Sequence, residues 1–213
     1  MALPAIAAYP LPGPGELPDN RVGWTVDPGR AALLVHDMQN HFLRPFPEGA
    51  EPLGGLLANV GRLAAACREA GVPVLYSAQP GGQTPAERGL QQDFWGPGLP
   101  ADPAAAAIAA PVAPEAGDAV LTKWKYSAFV RTDLAERLAA HGRDQLLLAG
   151  VYAHIGVALT AADAWMRDLR AFLVADAVAD FSAEHHREAL RWAAGTCARV
   201  LTTDALLRAL KGA

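Results

Sequence analysis

The chain has 213 residues, 52% of them hydrophobic, with 20 Gly and 17 Pro; this fits one globular domain with a sizeable core. A formal net charge of -4 and the lack of any long basic run argue against a nucleic-acid surface. No apolar stretch approaches membrane-spanning length, and the proline-broken N-terminus without a basic region argues against a signal peptide.

Residues 1–29 are Pro-rich, carry the turn elements PGPG and DPGR, and read as an extended N-terminal arm ahead of a single domain over 30–213. AALLVH (31–36) is a short apolar run of buried-strand type. The stretch 53–71 has helical spacing at Leu56, Val60, Leu63 and Cys67, with Gly71 as its stop signal. VPVLYSAQ follows as a second strand, and GGQTPAERGLQQDFWGPGLP reads as a long loop of the kind that carries function. DPAAAAIAAPVAP is a short helix and connector.

AVLTK is a third strand, DLAERLAAHG a helix with Asp133 near its start, and DQLLLAG a fourth strand. In GVYAHIGV, Gly150 opens a turn and a helical run begins near His154, an elbow where many hydrolases of open α/β type place a nucleophile. This elbow contains neither Cys nor Ser, and position 156 is glycine. AFLVADAVAD is a fifth strand with a loop beginning at Asp176, and Ser182 caps the next helix. ARVLTTDALLRAL supplies a sixth strand and a last helix. The alternation predicts an α/β fold of three layers, Rossmann-like, with a six-stranded parallel sheet and helices on both faces. No dinucleotide or Walker pattern appears.

Cys67 and Cys197 suggest no disulfide framework and read as buried small hydrophobes in a reducing cytoplasm. Ligands of such folds bind beyond the carboxyl ends of the strands. That rule selects Asp37, Gln79, Lys123 and the elbow. A lone Asp at a strand end is ordinarily a turn or cap residue, but here an acid, an amide, an ammonium and a small-residue elbow converge on one crevice. Only three lysines occur in the chain, and Lys123 and Lys125 stand together in LTKWKYSAF, as a site needing a compact ammonium would require.

HDMQNHF, AQPGGQTPAERGLQQDFWGPG, TKWKYSAF and GVYAHIG together resemble the isochorismatase-like hydrolase superfamily, over nearly the whole chain. Within it they look most like the isochorismatases and the phenazine-pathway 2-amino-2-deoxyisochorismate hydrolases. The amidase and nicotinamidase branches use a triad of Asp, Lys and an elbow Cys. Asp37 and Lys123 match the first two, and Gly156 stands where the Cys would be. The departure argues against covalent amide chemistry, which needs an activated nucleophile. It matches the vinyl-ether branch, in which Asp37 alone is the acid and Gly156 leaves room for the ligand.

The resemblance implies further roles. Arg88 is expected to take a ring carboxylate through two parallel hydrogen bonds, and Gln79 to offer an amide to a carboxylate or ring substituent. Phe42, Trp95 and Tyr126 are expected as apolar walls, with core packing as the alternative for each. Tyr152 and the backbone N–H groups near Gly156 are expected to hold the enolpyruvyl carboxylate. A surface ion pair is the competing reading for Arg88. The proton on Asp37 requires a raised pKa, which burial against Phe42 and Trp95, or the substrate's own carboxylates, would supply. A non-proline cis peptide is implied between Val151 and Tyr152.

Six histidines invite a metal test, yet His36 lies in a strand, His185 and His186 point apart on a helix, and no H-x-H or D-x-H spacing occurs near the loop. The expectation is therefore no metal and no cofactor. The expected protein is a cytoplasmic homodimer acting on a small chorismate-derived molecule, with no nucleic-acid or membrane partner. Siderophore isochorismatases often carry a C-terminal carrier domain, whereas this chain stops at Ala213, which favours the amino substrate over isochorismate. Two rivals are a catalytically silent scaffold and an amidase using Cys67 or Cys197, both of which are remote from the elbow in sequence.

Overall fold

The computed structural model describes residues 3–212. Its elements are, in chain order, β1 (Ala31–His36), α1 (Asn40–Leu43), α2 (Leu53–Glu69), β2 (Val74–Ala78), α3 (Pro85–Arg88), α4 (Gln91–Trp95) and α5 (Pro103–Ala106). There follow β3 (Ala119–Thr122), α6 (Leu134–Ala140), β4 (Gln145–Val151), α7 (Ala158–Met166), β5 (Arg170–Ala179), α8 (Ala183–Thr196), β6 (Ala198–Leu201) and α9 (Thr203–Leu210). A π-helical turn, Ala153–Val157, joins β4 to α7.

The six strands form one sheet in the order β3-β2-β1-β4-β5-β6, with every pair parallel. The three-layer α/β arrangement predicted from the apolar runs is the one observed. Side-chain alternation separates the two faces of the central strands. Leu33 and Val35 of β1 pack with Leu56, Val60 and Leu63 of α2 and Leu206 of α9. Leu34 and its β4 neighbours Leu146 and Leu148 join Leu134, Ala161 and Leu190 of α6, α7 and α8. With both faces covered, the central strands read as continuous apolar runs rather than alternating ones.

The chain leaves β1 towards β2 and β3 and leaves β4 towards β5 and β6. The strand order therefore reverses between β1 and β4, which is where ligands bind in open α/β sheets. The N-terminal segment is tied to the domain by backbone bonds from Ile6 to Pro45 and from Tyr9 to Glu51. Asn20 pairs with both backbone groups of Val200 on the edge strand β6.

Three local readings need correction. The stretch after β2 is not a plain loop: Thr84 and Glu87 form a reciprocal capping box that starts α3, and α4 follows. β5 does not end at Asp176 but runs on to Ala179, because the pairing shifts from Leu148 opposite Leu173 to Gly150 opposite Val178, which absorbs three extra residues on β5. Gly150 does not open a turn but lies inside β4. Its φ is +110°, and a Cβ there would fall 2.7 Å from His36 N and 2.9 Å from His36 C, so only glycine lets β4 approach β1 this closely.

Candidate active site

Asp37 follows β1 with φ +51°, a left-handed conformation that Asp tolerates better than most residues and that turns the side chain out of the strand path. Its carboxylate is buried among side-chain donors. Oδ1 accepts from Ser77 Oγ at 2.6 Å, and Oδ2 accepts from Gln79 Nε2 at 3.1 Å and pairs with Lys123 Nζ at 2.9 Å. Lys123, just past β3 and itself buried, also donates to Lys125 O at 2.6 Å. Neighbouring strands β1, β2 and β3 thus each deliver part of one network.

Burial by itself pushes the Asp37 carboxyl up, as the sequence argument requires. The Lys123 ammonium, His36 and the Ser77 hydroxyl outweigh it, and the net shift is below the ordinary carboxylate value. The expectation that burial alone loads Asp37 with a proton is therefore corrected: the surrounding donors hold the group ionised. His36 is fully buried, and desolvation pushes its pKa down to about 4, leaving a neutral imidazole near neutral pH.

A cavity of about 640 Å³ opens over this network at the β1/β4 reversal. Asp37, Phe42, Gln79, Arg88, Trp95, Lys123, Tyr126, Tyr152 and Gly156 all line it. Several of them are committed to protein partners. Gln79 gives one amide N–H to Asp37 and its backbone is clamped by the buried Gln39, so the side chain is held in place where it lines the cavity. Trp95 Nε1 donates to the Tyr126 hydroxyl at 2.6 Å, fixing two walls against each other. The Tyr152 hydroxyl donates to Phe42 O at 2.6 Å, so Tyr152 offers the cavity its ring and backbone rather than its phenol. The peptide between Val151 and Tyr152 is cis, as the resemblance implied.

Arg88 is buried and forms no ion pair among the described residues, contrary to the surface-pair alternative. Only Nε is engaged, with Gly96 O at 3.1 Å, while Lys125 Nζ steadies the Arg88 carbonyl at 2.6 Å. The cavity therefore presents the cations Lys123, Arg88 and Arg44 against the single carboxylate Asp37. That balance suits a substrate carrying more than one negative charge. No Ser, Thr or Cys is among the described residues that line it.

Sequence reasoning missed Ser77, Gln39, His41, Arg44 and the contribution of Leu3 and Ala5 from the N-terminal arm. Ser77 had a signal: a polar residue in a strand otherwise apolar and buried on both faces. Leu3 and Ala5 had none, because nothing local in a Pro-rich arm says where it folds back.

The one group of possible metal ligands among the described residues is His154, Asp180 and His185, gathered from the elbow, the end of β5 and the first turn of α8. Spacing arguments miss it because the three come from separate elements. Asp180 already accepts three hydrogen bonds there, from His154 N and Nδ1 each at 2.6 Å and from Phe181 N at 2.8 Å. Those bonds account for the carboxylate as a clamp on the elbow. His186 turns the other way, towards Tyr9 and Ala175.

A family profile described as Isochorismatase domain matches residues 31–205. The chain belongs to the isochorismatase family. It is 54% identical over 205 residues to the phenazine biosynthesis protein PhzD1 of Pseudomonas aeruginosa, covering 96% of this chain and 98% of that protein. It is 52% identical over 213 residues to an isochorismatase of Bacillus subtilis, covering 100% of this chain and 68% of that one. An isochorismatase family protein from Burkholderia thailandensis superposes with a TM-score of 0.79 at 28% identity, covering 88% of this chain and 98% of that structure. The chain is accordingly an enzyme, a hydrolase of the isochorismatase family. No helix among the described residues is long and apolar enough to cross a membrane.

Proposed function

We propose that this enzyme hydrolyses the enolpyruvyl (vinyl) ether of 2-amino-2-deoxyisochorismate to trans-2,3-dihydro-3-hydroxyanthranilate and pyruvate. Asp37 is the general acid, and no covalent intermediate forms. The observation that carries the reading is a cavity with one buried carboxylate, three cations and no Ser, Thr or Cys in its described lining. Such a cavity is poorly equipped for attack by a protein nucleophile and well equipped for proton delivery to a polyanion.

The protonated Asp37 transfers its proton to the terminal methylene carbon, converting the enol ether to an oxocarbenium ion. Water adds to the cationic carbon and returns a proton to Asp37. The hemiketal then collapses, its hydroxyl proton passing to the departing ring oxygen, and pyruvate and the ring alcohol separate. A positioned acid accounts for roughly 10²–10⁴-fold of the rate. Arg88 takes the ring carboxylate, and the elbow backbone with Lys123 takes the enolpyruvyl carboxylate. Phe42, Trp95 and Tyr126 wall the ring. A substrate carboxylate that shares Lys123 loosens its hold on Asp37, so substrate binding raises the Asp37 pKa and takes up the proton that is then delivered.

Isochorismate is the second reading, favoured by the 52% identity to the Bacillus subtilis isochorismatase. The two substrates differ by amino against hydroxyl on the ring. The reading extends to a cytoplasmic homodimer that works without a cofactor. A pyruvate assay coupled to lactate dehydrogenase, run with both substrates, tests it: higher kcat/KM for the amino substrate is expected. Higher kcat/KM for isochorismate makes the second reading the function, and no pyruvate from either overturns both.

A further inference from the structure

A glycine at the elbow explains only that a nucleophile is missing, not why the position stays empty. A Cβ built on Gly156 would not point into open cavity. It would fall inside the van der Waals shell of His36 Cε1, and would lie 3.0 Å from Nε2 and 3.1 Å from Nδ1. The space a side chain would need at position 156 is already filled by an imidazole. This departs from the expectation that Gly156 simply leaves room for ligand.

The ring cannot swing aside cheaply. It is fully buried, and Nδ1 lies 3.0 Å from Val151 O, an acceptor, so that nitrogen carries the proton. Nε2 touches Thr160 Oγ1 at 3.3 Å, but that hydroxyl's proton goes to Gly156 O at 2.7 Å, so this contact is packing and the Nδ1–H bond to Val151 O is the one that holds the ring. Val151, Gly156 and Thr160 all belong to the elbow or the helix it leads into. The ring is therefore tied to the segment whose side chain it excludes. The same Nδ1 is 3.8 Å from Asp37 Oδ2, so the imidazole and the carboxylate are immediate neighbours and a displaced ring has Asp37 beside it.

We propose that His36 is a positioning residue that fixes the chemistry of the elbow: its imidazole occupies the volume of a side chain at position 156, closing that position to any nucleophile. The glycine and the histidine form one complementary pair across β1 and β4. Two consequences follow. Gly156→Cys on its own drives the imidazole against Asp37 and impairs the enzyme instead of converting it to covalent chemistry. A side chain becomes admissible at position 156 only when the ring is trimmed.

His36→Asn is the trim of choice, because its amide N–H can still reach Val151 O while Cε1 and Nε2 are deleted. The test measures thermal midpoints of the wild type, His36→Asn, Gly156→Ala and the double variant. Gly156→Ala in the wild-type background should lower the midpoint by about 2–10 °C, as overpacking does in a chain of this length. In the His36→Asn background the same change should cost nothing measurable or raise the midpoint. An equal loss in both backgrounds overturns the proposal, and so does a double variant that fails to fold, since the backbone and not the ring is then the obstacle.

Turnover supplies a second readout, which a packing defect remote from Asp37 would not move. Gly156→Ala should lower kcat roughly ten- to a hundredfold through displacement of Asp37, with KM less affected. Adding His36→Asn should recover part of that kcat; no recovery overturns the link to Asp37. The midpoints need no substrate, so a wild type that releases no pyruvate defeats the proposed function and leaves the pairing to be judged on the midpoints.

Discussion

Asp37 and Asp180 invite direct comparison. Each is a buried aspartate just past the carboxyl end of a strand, and each lies beside a histidine. Their donors differ. Asp37 is held by the side chains of Ser77, Gln79 and Lys123, from separate elements, and it faces the cavity. Asp180 is held by the backbone N–H groups of His154 and Phe181 and by the His154 ring, and it is not among the residues lining the cavity. Side-chain donors can be reshuffled when a ligand arrives, whereas backbone donors are fixed by the fold. The first arrangement suits a group that must change its protonation, and the second a group that must never move.

The largest effect that tests this division is on turnover. Asp37→Asn keeps size and most hydrogen-bonding capacity but has no acidic proton, and kcat should fall roughly 10²–10⁴-fold with KM changed much less. Steady-state pyruvate release checks it, with circular dichroism to show an intact fold. A variant retaining a sizeable part of wild-type turnover would remove Asp37 from the role of acid and dissolve the contrast.

The second test is acid stability, and it belongs to the Asp37 side. His36 has its pKa lowered by burial from 6.5 to about 4. The unfolded chain therefore takes up that proton first, and the contribution, complete above pH 6.5, is lost as pH falls towards 4. The loss is on the order of 3 kcal/mol over that window. Asp37, also lowered, adds a further loss at more acid pH, where the folded state must protonate it. Urea midpoints from pH 7 to 4 should fall less steeply for His36→Asn than for the wild type. Parallel profiles would show that His36 is not the group being titrated.

The sequence distinguishes these aspartates poorly, and the reason is physical. Both follow apolar runs, and what differs is the origin of their donors, which is a tertiary property. The strands were legible because a parallel sheet covered on both faces demands long apolar runs, and α2 because Leu56, Val60 and Leu63 mark one buried stripe. The short helices α3 and α4 were hidden within a stretch read as loop, although Thr84 and Glu87 carried the capping signal. The continuation of β5 past Asp176 was not legible, since a bulge is set by pairing with a neighbour strand. The pairing of His36 with Gly156 was likewise hidden, because it joins residues 120 positions apart across two strands, by the difference of their numbers.

The third test takes the Asp180 side. Asp180→Ala leaves the half-buried N–H groups of His154 and Phe181 without their acceptor, and should cost about 2–4 kcal/mol of stability. Denaturant titration measures it. Turnover should fall with stability and loosening of the elbow rather than by loss of an acid, so its pH profile should keep the wild-type shape. A shifted profile with an unchanged midpoint would mean that Asp180 takes part in the proton chemistry and that the division is wrong.

The smallest effect comes from the far end of the Asp180 clamp. The N-terminal arm places the Tyr9 hydroxyl where it accepts from Asp180 N at 2.8 Å and donates towards Asp180 O at 3.2 Å. His186 Nδ1 is a further neighbour at 3.3 Å. The phenol is buried, and its pKa is driven far above the ordinary tyrosine value, chiefly by desolvation, so it stays neutral and is available as both donor and acceptor. Tyr9→Phe keeps the ring packed with Ile6 and the core but leaves Asp180 N without its acceptor. The cost should be about 1–2 kcal/mol, less than for Asp180→Ala because the carboxylate keeps its own bonds to the elbow. Combined with Asp180→Ala, the tyrosine change should add less than it costs alone, since the two residues serve one clamp. Full additivity in denaturant midpoints would mean that the arm and the elbow are stabilised independently.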